Sequence, residues 1–177
     1  MHSFMGVLLV YFWLGAGLAR AEDEPPMVEP NQAIIQVKGV VCSFCAYGAE
    51  KNLARLDFLD PSPFGGNGVL VDIHTHRITL ALAAGKSVDY AAIDNAILKG
   101  GYDPVATYLH LRGTVDQGPD GLLLTSAYNG QTYALTGERI DVLAGVRQVE
   151  LQGHLDRSSA SDPVAVIVTA YEVLPRE

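Results

Sequence analysis

The tightest constraint on this chain is the way its apolar residues change repeat. From Ala33 to Leu111 a two-residue alternation and a helical spacing take turns, and beyond that the alternation dominates. Ala33-Ile34-Ile35-Gln36-Val37-Lys38-Gly39 reads as a β-branched strand closed by a glycine. Ala46, Ala49, Leu53 and Leu56 then recur at helical spacing. Pro61, Pro63 and Gly65-Gly66-Asn67-Gly68 break the chain into a loop. Residues 69–73 and 77–82 are two strands joined around His74-Thr75-His76, a hairpin reading. Residues 88–99 carry Ile93 and Ile97 on one helical face and stop at Gly100-Gly101, the ending a helix C-terminus prefers. Residues 105–111 are extended again. The order β-α-β-β-α-β is the split βαβ plan, so residues 33–106 are expected to be ferredoxin-like.

From residue 107 the character changes. Extended segments at 109–115, 121–126, 131–135, 147–154 and 164–173 are separated by Gly118-Pro119-Asp120-Gly121, by Asn129-Gly130 and by the turn-rich stretch 158–163. Residues 138–144 leave room for one or two helical turns. Three strands, a short helix and two strands is the element order of an OB-type barrel. The expected fold is therefore α+β: a ferredoxin-like βαββαβ domain over 33–106, followed by a small all-β, OB-like barrel domain over 107–177.

The first residues read as a targeting segment. Residues 4–19 are a nearly unbroken apolar run ending in Ala19-Arg20-Ala21. About 16 residues fall short of the roughly 20 that a spanning helix needs, and Ala19 and Ala21 match the small-residue cleavage pattern of a secretory signal peptide. Residues 1–21 are thus expected to be a signal peptide, with export to a periplasm. The scarcity of positive charge before the run, only His2 and the terminal amine, keeps an uncleaved membrane anchor as the alternative. Residues 22–32 hold four acids, no base and three prolines, and read as a flexible acidic leader.

Charge narrows the partners. The formal net charge is −8 over 177 residues, with six bases against seven acids in 33–106 and five against nine in 107–177. No basic cluster exists to grip phosphates, which argues against nucleic acid and anionic lipid. A 49% hydrophobic content is ample for a packed core.

The chemistry sits in the two cysteines, Cys42 and Cys45, which are all the chain has. They fall between the first strand and the first helix, where the helix N-terminus favours thiolate over thiol. Thiolates select soft, thiophilic ions, Cu(I) among them. A structural zinc site wants four protein ligands, and no second cysteine pair is present. A local disulfide in an oxidising compartment and a redox role are the open alternatives. Thioredoxin-like chemistry is disfavoured because no Trp or Gly-Pro accompanies the pair.

Residues 33–106 resemble the heavy-metal-associated domain family, which includes copper chaperones, N-terminal modules of metal-transporting P-type ATPases and periplasmic mercury-binding proteins. The resemblance is carried by the strand at 34–37, by Gly39-Val40-Val41-Cys42-Ser43-Phe44-Cys45-Ala46, and by Ile93, Ile97 and Gly101-Tyr102. It implies that Cys42 and Cys45 bind a metal ion, Cu(I) first, with Hg(II) and Zn(II) behind it. It also implies an aromatic near the metal loop, Tyr102, and a membrane metal transporter or envelope protein as partner. Two departures stand out: Val40 replaces a Met normally buried for packing, and the loop at 58–68 is longer than the family's.

Other candidates have plainer readings. His74 and His76, two apart in an extended hairpin, would share a face and could hold a second ion, but an exposed turn explains them. His110 and His154 fall in strand patterns as ordinary surface residues. Lys99 could neutralise a dithiolate–metal centre, although a helix-end lysine needs no such role. Tyr108, Tyr128 and Tyr133 could furnish a contact face in the second domain. Asp57/Asp60 and Asp116/Asp120 sit in turn contexts. No Gly-x-Ser-x-Gly, His-Glu-x-x-His or phosphate-cradling loop is present, so no enzymatic activity is expected.

Overall fold

The structure is a computed structural model that describes residues 24–158 and 161–175; the expected signal peptide lies outside them. Among the described residues no helix is long and apolar enough to cross a membrane. The elements are β1 (Gln32–Lys38), α1 (Ser43–Leu53), β2 (Val69–Asp72), β3 (Arg77–Ala81), α2 (Tyr90–Lys99), β4 (Asp103–Gly118), β5 (Gly121–Ser126), β6 (Thr132–Thr136), a 3-10 turn (Ile140–Leu143), β7 (Val149–Leu155) and β8 (Val164–Val173). Each helix begins on a side-chain cap. The Cys42 sulfur accepts from the Cys45 amide at 3.1 Å, and the Asp89 carboxylate accepts from the Ala92 amide at 2.9 Å.

The expected ferredoxin-like domain followed by a separate OB-like barrel is not what forms. The chain is mostly strand, and its strands make one sheet in the order β2-β3-β1-β4-β5-β6-β8-β7, with β7 returning to β4. That return closes β4, β5, β6, β8 and β7 into a five-stranded barrel. The barrel's first strand is also the fourth strand of the first half, so neither half is a self-contained fold. The physical reason lies in β4. Thr107, Leu109, Leu111, Gly113 and Val115 are all buried, so one unbroken two-residue repeat continues through the change of composition at residue 107. One edge of this strand pairs with β1 from Asp103 to Leu109 and with β5 from Gly113 to Gly118. The other edge pairs with β7 from Tyr108 to Gly113.

Side chains lock the halves together. Arg157, just beyond β7, makes a forked pair with Asp94 of α2 at 2.6 and 2.9 Å and bonds the Thr107 hydroxyl at 2.8 Å. The Tyr90 and Tyr133 hydroxyls meet at 3.0 Å, and burial drives the Tyr90 phenol well above its ordinary pKa. Gln131 bonds both the amide and the carbonyl of Val88, and the Tyr128 hydroxyl donates to the Leu82 carbonyl at 2.7 Å. The buried apolar residues of both halves form one contiguous cluster. The end of the acidic leader is held against the barrel: Val28 is buried, and its backbone N–H and C=O bond the side-chain amide of Gln152.

Candidate functional site

The loop after β1 is shaped by residues on either side of the cysteines. Gly39 adopts φ +94°, a left-handed backbone that glycine tolerates best, and a Cβ there would sit 3.4 Å from the Tyr102 ring. The same tyrosine's hydroxyl lies 3.8 Å from where a Gly48 Cβ would be, so Tyr102 packs behind the loop and against α1. Val40 is fully buried. Next, the chain turns outward. Cys42 is exposed, Cys45 is half-buried, and Ala49 and Leu53 carry the helix into the core.

Cys42 and Cys45 are joined by a disulfide, with their Cα atoms 5.1 Å apart. The pair stands at the start of α1, where unpaired N–H groups and the helix dipole stabilise negative charge. The Cys45 amide already points at the Cys42 sulfur. Around it is an apolar rim: Val41, Tyr47 and above all Phe44, which is 89% exposed. Lys51 lies over the Tyr47 ring at 5.7 Å. Opened by two electrons and two protons, the disulfide becomes two thiols within reach of one ion. Phe44 lies off the Ala46–Ala49–Leu53 stripe, so the helical spacing already turns it outward.

The remaining candidates fall elsewhere. His74 and His76 do not share an extended face. Both lie in the turn between β2 and β3, with His74 exposed, while His76 takes φ +54° and bonds the Val40 carbonyl through Nδ1 at 3.2 Å. That contact braces the cysteine loop from the side. Asp72 anchors the turn; the Thr75 hydroxyl and the His74 amide hold its carboxyl below the ordinary value. Lys99 is exposed and lines a groove between the helices with Asn52 and Arg55. His110 Nε2 lies 2.6 Å from Glu150 Oε1, and the His154 ring stacks obliquely on Tyr108 at 6.1 Å. Tyr133 is buried and Tyr128 half-buried where the halves meet, so these two do not form an exposed contact face. The loop at 58–68 is fixed to the far end of β3 through Leu59↔Leu82 and the Asp60–Ala81 backbone bond. The cysteine loop lies at the other end, where Gln36 pairs with Arg77. Among the described residues, no group of three or more His, Cys, Asp or Glu could hold a metal ion.

No protein-family model matches the chain, and no curated protein matches it in sequence. Among solved structures it is similar to one described as a CopZ metallochaperone, at 23% identity over 42% of this chain and 98% of that one, with a TM-score of 0.35. A TM-score at that level carries no argument, so the functional reading rests on the cysteine pair itself.

Proposed function

We propose that this protein, with its Cys42–Cys45 pair reduced, captures a single soft metal ion and hands it on by ligand exchange. The observation that supports this is the juxtaposition of two sulfurs, one exposed and one half-buried, on the first turn of a helix. Each thiol loses its proton to bind the ion, and the helix N-terminus offsets part of the resulting negative charge. Two sulfurs, with no third ligand beside them among the described residues, suit an ion content with low coordination, so Cu(I) ranks first and Hg(II) second. Zn(II) ranks last, since it would need ligands from a partner. Transfer would proceed by attack of a partner's thiolate on the bound ion, a transient three-coordinate state, and departure of one cysteine sulfur. The apolar rim of Val41, Phe44 and Tyr47 would shield that exchange from water. The partner would be a membrane metal transporter or an envelope protein, consistent with an exported chain.

The bonded state of the pair favours a second reading, a thiol–disulfide protein. A third has the chain as an envelope scaffold that no longer binds metal. One experiment separates all three. The full chain is reduced anaerobically, freed of reductant and titrated with Cu(I) against a chromophoric chelator. Metal carriage predicts one ion per chain and a near-ultraviolet thiolate-to-metal absorption, both lost in Cys42→Ser/Cys45→Ser. Identical titrations for the two proteins would sink it. Failure to bind together with a reduction potential between about −270 and −120 mV would instead favour the thiol–disulfide reading.

A further inference from the structure

The barrel is joined to the first half through a strand that changes partners, and the changeover leaves a gap. On one edge of β4, pairing with β1 ends at Leu109 and pairing with β5 begins at Gly113. Beside the intervening residues lies a cavity of about 460 Å³, bounded by Asn31 of the leader, Leu82 at the end of β3, Tyr128 of the β5–β6 turn and Glu150 of β7. Its volume falls within the roughly 300–1,000 Å³ of small-molecule pockets. Such sites commonly form where two structural units meet.

Two side chains that point to the cavity's chemistry stand on β4. His110 lines it, with a side chain only 9% exposed. Its Nε2 lies 2.6 Å from the Glu150 carboxylate, so that nitrogen carries the proton and donates. The other nitrogen, Nδ1, is buried and has no hydrogen-bond partner among the described residues. When the ring is neutral with its proton on Nε2, Nδ1 is an acceptor without a donor. Buried polar atoms are rarely left in that condition, which makes this one a pointer to something the site takes up. Arg112 also lines the cavity and is exposed. It stands opposite Glu150 in the β4–β7 register, yet the Glu150 carboxylate turns to His110. Among the described residues the Arg112 guanidinium forms no ion pair, and its fork fits a carboxylate bidentately.

We propose that this seam is a second ligand site, for a small carboxylate that also carries an O–H or N–H donor. The carboxylate sits on Arg112 and the donor on His110 Nδ1. The two protein groups are two residues apart on one strand face, about 7 Å along the strand, so the ligand's acid and donor lie a few bonds apart. Glu150 repels the ligand's carboxylate from the His110 end and so fixes its direction. Leu82 and the Tyr128 ring supply apolar contact. Because Asn31, Leu82, Tyr128 and Glu150 come from different elements, a bound ligand ties leader, first half and barrel together.

The test is a nuclear magnetic resonance titration of the full chain, labelled with ¹⁵N, using citrate, L-glutamate and D-galacturonate as probes. D-Galactose and inorganic phosphate are the controls. At least one carboxylate probe is expected to shift the His110 ring nitrogens and the Arg112 side-chain signal together and saturably. Arg112 is exposed, so Arg112→Gln leaves the fold intact, and it is expected to weaken that probe about tenfold or more. The proposal is overturned if no carboxylate probe moves those signals up to about 10 mM. Equal affinity for phosphate or for the neutral control, or unchanged affinity in Arg112→Gln, overturns it as well.

Discussion

Cys42 serves two purposes at one position. Its sulfur caps α1 by accepting from the Cys45 amide, and it is also half of the pair to which we assign metal capture. A serine there would keep a cap while removing the soft ligand, which makes the double serine variant a fair comparison in the Cu(I) titration. The neighbouring turn carries a pH dependence of its own. Asp72 is held below its ordinary value by the Thr75 hydroxyl and the His74 amide, so the folded turn prefers the carboxylate. That contribution is complete above the unfolded-state pKa and is lost as pH falls through the lower folded one. A resonance titration of the Asp72 carboxyl should therefore find a midpoint below that of an unstructured aspartate. In Asp72→Asn, the acid-induced loosening of the β2–β3 turn should shift or vanish; a carboxyl that titrates normally would refute the assignment. His76, which leaves this turn to bond Val40, gives any such loosening a route to the cysteine loop.

Among the elements, β4 decides the architecture, and it was the least legible. Both helices could be read from their spacing and their ends: Ala49 and Leu53 are buried in α1, Ile93 and Ile97 in α2, and Gly100 closes the second. The strand at 103–118 could not be read as one, because composition shifts near residue 107 while the two-residue repeat of burial runs straight through. Local pattern reports which residues face inward. It does not report which strands lie alongside, and β4 has three strand partners drawn from both ends of the chain. Gly113 marks the crossing point, where a Cβ would run into the Thr125 carbonyl of β5. Gly113→Ala is accordingly expected to cost about 1–3 kcal/mol through overpacking against backbone. Urea unfolding measures it, and a cost near zero would mean that β5 can move aside.

At the scale of the whole molecule, the shared strand and the Tyr90–Tyr133 contact predict that both halves unfold together. Tyr133→Phe removes the partner that the buried Tyr90 hydroxyl has among the described residues. A loss of about 1–3 kcal/mol is expected, and it should appear equally in signals from either half. Far-ultraviolet dichroism and amide resonances from β2 and β6 would follow it. A midpoint that falls for β6 while β2 holds its own would show two independent units. The seam cavity belongs to this scale too, since its walls exist only once the leader, the first half and the barrel have met.

Sequence alone was enough for the cysteine pair, its place between a strand and a helix, and the two helices, because these depend on neighbours within a few residues. Only the tertiary structure decided the rest. The β6–β8 pairing and the return of β7 to β4 close the barrel, and the burial of Val28 brings in the leader. The register that sets Arg112 opposite Glu150, with His110 two residues along the same strand and opposite Gln152, is of the same kind. Each is a contact between segments tens of residues apart, and such a contact is set by how whole faces pack. The acidic balance argues against nucleic-acid partners and the cysteines point to a chemistry, while the sheet alone determined that leader, helices and barrel pack together.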